Sequence, residues 1–175
     1  MNFVFGSGPT VFFGEGKSKE VGSILKGMDI KNVYVLYDKG VKAAGLVDGV
    51  VKSLKDAGMT VTEFDEVEPN PSVETVEKAA EIGRAAKAEA LVAIGGGSSM
   101  DTAKAVNILL SNPSPITQYE GFDAKMKPTG PLVLIPTTAG TASEVTGVAV
   151  ITNVQEKRKF IVGGAHVPAT IALAD

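Results

Sequence analysis

Apolar and polar positions along this chain follow two alternating rhythms, and the changes between them divide it into short elements. Phe3–Phe5 and Thr10–Phe13, on either side of Gly6-Ser-Gly-Pro9, read as an N-terminal β-hairpin or edge ribbon. In Lys17–Met28 the apolar residues Val21, Ile24, Leu25 and Met28 recur at helical spacing. Asn32–Tyr37 is a strand ending at Asp38, and Val47–Ala57 is a helix closed by Gly58. Thr60–Phe64 is strand-like, Glu66–Pro71 is a turn, and Val73–Ala88 is the next helix. Leu91–Ile94 is predicted as a strand, Ser98–Leu110 as a helix and Leu132–Ile135 as a strand. Val145–Thr152 and Lys159–Val162 are expected to pair as a second hairpin, with Ile171–Leu173 as a final strand.

Strands alternating with helices predict an α/β fold. The expected form is a Rossmann-like parallel sheet with helices on both faces, plus an N-terminal and a C-terminal β-hairpin. In such sheets ligands bind beyond the carboxyl ends of the strands. Asp38, Asn70, Gly95–Ser98 and Thr137–Ser143 all follow predicted strands, so a candidate site assembles from four loops at one sheet edge.

The most informative of these loops is the run Leu91-Val-Ala-Ile-Gly-Gly-Gly-Ser-Ser-Met-Asp-Thr-Ala-Lys104. A strand that ends in three glycines and passes into a helix suits a phosphate. The glycines let the backbone come close, and the helix N-terminus offers unpaired N–H groups and a favourable dipole. The run is neither G-x-G-x-x-G nor a P-loop, and a tight turn without a ligand has the same composition. Ser98-Ser-Met-Asp101 also fits a capping box, with Ser98 as N-cap and Asp101 bonding back to it. Alternatively Asp101 faces uncharged sugar or nicotinamide groups, since a carboxylate beside a diphosphate repels it. Asp38 is placed to accept the hydroxyls of an adenosine ribose, favouring NAD over NADP, or it is an ordinary turn residue. Pro136–Glu144 is dense in small hydroxyl residues that can follow a cofactor surface. Lys159 follows a charged turn, Lys104 reads as a surface or ion-pair residue, and His166 is a lone imidazole with no second ligand nearby in sequence.

Composition narrows the classes. A chain of 175 residues fits one domain that buries roughly 70% of its unfolded surface. The net charge of -3 and the lack of a basic stripe argue against a nucleic-acid partner. There are no cysteines, which removes disulfides and thiolate metal sites. No segment approaches the roughly 18 apolar residues of a membrane span, and the start at Met1 lacks a signal-peptide pattern. A cytoplasmic protein with no membrane partner is the expectation.

Together these segments resemble the iron-dependent (group III) alcohol dehydrogenase family, specifically its N-terminal nucleotide-binding domain. The resemblance runs over nearly the whole chain. It rests on Gly14-x-Gly16, Gly95-Gly-Gly-Ser-x-x-Asp101-x-x-Lys104, Ile135-Pro-Thr-Thr-Ala-Gly-Thr-x-Ser-Glu144, Lys159-Phe-Ile and the closing segment Pro168–Asp175. Its lactaldehyde reductase and ethanol or propanediol dehydrogenase members are the most similar in pattern. Ala142 stands where a glycine is common, and Asn153 where an aspartate is common.

The resemblance implies that residues 1–175 form a dinucleotide-binding domain. Asp38 would meet the adenosine ribose, with Asn70 near the same end of the cofactor. Gly96, Gly97 and Ser98 would hold the diphosphate. Thr137, Thr138, Thr141 and Ser143 would line the adenine and nicotinamide sides, Lys159 the nicotinamide ribose, and Asp101 the nicotinamide half. Members of the family continue into a helical domain whose aspartate and three histidines hold a divalent metal, usually iron. This chain carries one histidine and cannot assemble that set. It is therefore expected to be a fragment or truncation, inactive alone. It would be the cofactor half of an NAD-dependent enzyme interconverting small primary alcohols or diols with aldehydes, homo-oligomeric at full length. The alternatives are a glycerol-dehydrogenase-like zinc enzyme fragment and a stand-alone nucleotide-binding or interaction module.

Overall fold

The computed structural model describes residues 8–122 and 124–175. The expected N-terminal hairpin strand Phe3–Phe5 lies outside the described residues. Its partner, β1 (Thr10–Phe13), joins the main sheet in parallel with β8 (Ile171–Ala174). The remaining strands of that sheet are β2 (Asn32–Tyr37), β3 (Thr60–Phe64), β4 (Ala90–Gly95) and β5 (Leu132–Pro136). Their spatial order is β1-β8-β5-β4-β2-β3, and every pairing is parallel. β6 (Val148–Asn153) and β7 (Arg158–Gly163) form the expected antiparallel hairpin.

The inner strands read as unbroken apolar runs because both faces of a parallel sheet are covered by helices. All six residues of β4 are buried. Alternate side chains serve opposite cores. Val33, Val35, Val92, Ile94, Val133 and Ile135 pack with α1 (Val21–Lys26) and α3 (Asp48–Asp56). Tyr34, Leu36, Leu91, Ala93, Leu132 and Leu134 pack with α4 (Val73–Ala85), α5 (Gly97–Ser111) and the hairpin residues Ile151, Phe160 and Val162. Each fully buried Val, Leu or Ile contributes about 1.5–3 kcal/mol. This face-to-face matching therefore outweighs the modest intrinsic preferences of the short strands.

Several elements differ from the sequence reading. Lys17–Glu20 is a 3-10 turn ahead of α1, the helix after Ser72 stops at Ala85, and β6 begins only after a 3-10 turn over Ser143–Val145. A short helix, α2 (Lys39–Ala43), follows Asp38, whose side chain caps it by accepting from the Val41 N–H.

The chain runs outward from β2 to β3, then returns to place β4 on the other side of β2. The connections leaving β2 and β4 thus diverge, which opens a crevice at the carboxyl ends of these two strands.

On the far side of the sheet, α1 touches α3 at backbone distance. Gly22 donates to Ser53 Oγ at 3.1 Å, and a Cβ at Gly22 would lie 2.2 Å from the Ser53 carbonyl oxygen. Neither backbone can yield without opening the core. Gly22→Ala is expected to cost about 2–3 kcal/mol of stability, read as a lowered thermal midpoint. An unchanged midpoint would show that α1 can slide on α3.

Candidate functional site

The crevice holds two adjoining clefts. The larger, about 790 Å³, lies between Asp38 and α2 on one side and Thr137–Thr141 on the other, with Gly96–Ser99 as its floor. The smaller, about 460 Å³, is bounded by Asn70, Asp101, Ser143 and Lys159. Gly97, Ser98 and Thr141 line both. Each residue that the sequence assigned to the cofactor lines one or both clefts. Asp38, Gly96, Thr137 and Thr138 fall in the larger, Asn70, Asp101, Ser143 and Lys159 in the smaller, and Gly97, Ser98 and Thr141 at their junction.

The glycine turn makes the junction possible. Gly95 has φ +149°, and a Cβ there would sit 2.4 Å from Ser99 Oγ. A Cβ on Gly97 would approach the Thr141 methyl to 3.1 Å, so any larger side chain fills the passage between the clefts. α5 starts at Gly97 with Gly96 as its N-cap, in extended conformation and with no side-chain cap. Its first-turn N–H groups are therefore left for a ligand, and an uncapped helix start favours an anion.

This overturns the capping box. Ser98 Oγ instead accepts from the Asn70 N–H at 3.2 Å. The Asp101 carboxylate accepts from Ser143 Oγ at 2.7 Å and from the Val150 N–H at 3.1 Å. The acid is drawn across to the hairpin because those donors would otherwise be buried unpaired beside it, whereas the N-terminal N–H groups of α5 face a cleft. The Ser143 hydroxyl is consequently engaged: it donates to Asp101 and accepts from Lys104 Nζ at 3.0 Å.

Of the two readings of Lys104 from sequence, the surface one fails and the ion pair is kept, at long range, with Asp101. It is fully buried. Its ammonium donates to Ser143 Oγ, to Thr146 Oγ1 at 3.1 Å and to the Val148 carbonyl at 2.7 Å, while Asp101 Oδ1 stays 3.9 Å away. Burial pushes its pKa down to about 8, with Asp101 and Glu144 acting in the opposite direction.

The other candidates are held less tightly. Asp38 is half-buried, and its second oxygen is 3.5 Å from Ser99 Oγ. It both caps α2 and borders the larger cleft, so the two readings of it coexist. Lys159 Nζ donates to Asn70 Oδ1 at 2.7 Å, joining β7 to the loop after β3 across the smaller cleft. Sequence reasoning missed Glu68, which also lines the larger cleft. It accepts from the Ser72 and Thr75 hydroxyls, which lower its pKa. It missed Val41, Ala44 and Leu46 as well, for which only the unforeseen α2 could have been a signal. The far ends of the chain meet nearby: Asp175 accepts from the Gly16 and Ser18 N–H groups and from the Ser18 hydroxyl.

Residues 8–175 match the family model described as iron-containing alcohol dehydrogenase. The chain belongs to that family. It is 41% identical over 172 residues to a choline dehydrogenase of Bacillus subtilis, covering 95% of this chain and 42% of the relative. The structure of a 1,3-propanediol oxidoreductase superposes with a TM-score of 0.95 at 32% identity, covering 99% of this chain and 46% of that one. A sulfoacetaldehyde reductase from Bifidobacterium kashiwanohense, solved in complex with NAD+, gives a TM-score of 0.91 at 31% identity, over 100% and 46% respectively. The chain thus spans less than half the length of these relatives. Among the described residues no group of three or more His, Cys, Asp or Glu could hold a metal ion, and no helix is long and apolar enough to cross a membrane.

The buried lysine sets a testable pH dependence within this family domain. The folded-state pKa of Lys104, about 8, lies below its usual 10.5. Below pH 8 the group is protonated in both states, and its burial costs about 3 kcal/mol. Between pH 8 and about 10.5 the unfolded chain binds more protons, so this contribution to stability rises with pH. Denaturant unfolding of the parent and of Lys104→Met should show a stability difference that is flat below pH 8. Above it, the difference should shift in favour of the parent. A difference independent of pH would contradict the charged, buried assignment.

Proposed function

We propose that residues 1–175 form the nicotinamide-dinucleotide-binding domain of a metal-dependent alcohol dehydrogenase that interconverts small primary alcohols or diols with aldehydes. One observation carries this reading: four loops from separate strands converge on two joined clefts around an uncapped helix start. The clefts suit the two halves of a dinucleotide, and the glycine turn between them suits its diphosphate. The NAD+ bound by a relative of the same fold and the propanediol substrate named for another support the same choice.

The roles follow from position. Gly96, Gly97 and Ser98 offer backbone N–H groups to the diphosphate, and no side chain competes for them. Asp38, at the outer end of the larger cleft, accepts from the adenosine ribose hydroxyls, while Thr137 and Thr138 face it from the opposite wall. Thr141 stands at the passage between the clefts. In the smaller cleft Lys159, Asn70, Asp101 and Ser143 surround the nicotinamide half. When bound, the nicotinamide accepts or supplies the hydride. What this chain contributes is orientation of the cofactor, since among its described residues no group of three or more His, Cys, Asp or Glu could hold a metal ion.

Calorimetric titration with NADH and then NADPH tests the proposal. The chain is expected to bind NADH in preference. Gly97→Val, which blocks the passage, should weaken binding by at least about tenfold, roughly 1.4 kcal/mol. Failure of the parent to bind either nucleotide would refute the assignment of the clefts.

Asp38 governs the choice between the two cofactors in this reading, because its carboxylate repels a 2′-phosphate. Asp38→Ser should narrow the preference for NADH over NADPH by about tenfold. An unchanged ratio would remove Asp38 from the ribose end.

A further inference from the structure

We propose that Lys104 is a positioning residue for the cofactor site, its ammonium holding from behind the loop and hairpin strand that form one wall of the smaller cleft. The inference rests on reading that cleft as the nicotinamide half of the site.

The wall is made by Ser143, Thr146, Val148 and Val150. Three of these are bonded to the Lys104 ammonium and two to Asp101, with Ser143 shared between them. One turn of α5 therefore fixes four points of a segment that, before β6, has only a single 3-10 turn of its own. The same helix carries Gly97 and Ser98 at its start. The width of the smaller cleft is thus the distance between two parts of one braced unit, and the brace is Lys104.

The side chain matches its task by donor count. An ammonium has three N–H groups, and three acceptors converge on it. An apolar residue at 104 would fill the space but leave two hydroxyl oxygens and a carbonyl without their donor, each costing more than the average hydrogen bond contributes.

The charged groups around Lys104 are few. Asp101 faces it from its own helix and Glu144 from the loop, and both favour the ammonium. β4, β5 and β6 pack on the same helix and bring no ionisable side chain. From β7, Lys159 turns its ammonium to Asn70. On α4, Arg84 bonds the Leu109 carbonyl and Glu77 the Ile116 N–H, at the other end of α5. Tyr119 of the following turn bonds the Pro113 carbonyl, and Tyr34 on β2 packs beside Phe64. The bonds from the Lys104 ammonium to Ser143, Thr146 and Val148 are therefore what fixes the wall at this point.

The test combines amide hydrogen exchange with NADH titration at pH 7, on the parent chain, Lys104→Met and Thr146→Val. In Lys104→Met, protection factors of the amides of residues 144–150 should fall below those of the parent while those of α1 and α3 stay parent-like, and the NADH dissociation constant should rise about fivefold. Thr146→Val, which removes one of the three acceptors, should show an intermediate loss of both. Parent-like protection of these amides, or parent-like NADH binding, in folded Lys104→Met would overturn the proposal. If Lys104→Met does not fold, the same two readouts on Thr146→Val decide, with parent-like values again overturning the proposal. If NADH does not bind but protection falls as stated, the brace stands and the cofactor reading fails.

Discussion

The junction of β4 with α5 is the constraint on which the rest of the structure depends. A fully buried strand must turn at once into a helix, and the turn leaves no room for side chains. Gly95 holds φ +149° with Ser99 pressed against the place where its Cβ would be, and Gly96 closes the helix start without a capping side chain. Glycine in place of a capping side chain costs roughly a few tenths of a kcal/mol. That cost is offset by burial of α5 between α4, the sheet and the hairpin, where ten of its residues from Ser99 to Leu109 are inaccessible. The helix can leave its N-terminal donors free because its stability comes from elsewhere along its length.

Burying a helix on nearly all sides brings its polar residues into the interior, and each one is answered. Thr102 bonds back to the Ser98 carbonyl at 2.7 Å, and Asn107 reaches the Gly130 carbonyl at 2.9 Å. Asp101 and Lys104 reach the hairpin. A two-stranded hairpin is marginal by itself in water. Here its inward residues Ile151, Phe160 and Val162 supply the attraction, while the polar bonds to α5 select one placement among the many that an apolar contact allows. The clefts inherit their shape from that selection. Their floor belongs to the helix, and their walls belong to loops that the helix holds in place.

Particular residues show how far the sequence could be read. The runs at β2, β4 and β5 were legible because parallel strands covered on both faces must be apolar throughout. The positions of Asp38, Asn70, Gly96 and Thr138 near one another followed from a topological rule about strand ends. Asp101 was harder. An acid three residues after a serine has the same local pattern whether it caps its own helix or crosses to another strand, and only the donors brought beside it decide. Lys104 was misread as exposed for a similar reason. An acid one turn earlier suggests an exposed ion pair, but the hairpin returning from distant sequence covers it and sets two hydroxyls and a carbonyl closer than the carboxylate. Nothing in Lys39–Ala43 announced α2, which is held by the capping bond from Asp38.

The sequence by itself determined the parallel α/β sheet, the glycine turn at its carboxyl edge and the family to which the chain belongs. These rest on local periodicity, on backbone conformations open only to glycine, and on the order of motifs along the chain. Tertiary structure alone decided which polar groups meet: that Asp101 turns to Ser143 and Val150, that Lys104 is buried, and that the site divides into two clefts joined at Gly97. Hydrogen-bond partners inside a protein are chosen by what packing brings within about 3 Å. In this chain those partners come from segments far apart in sequence.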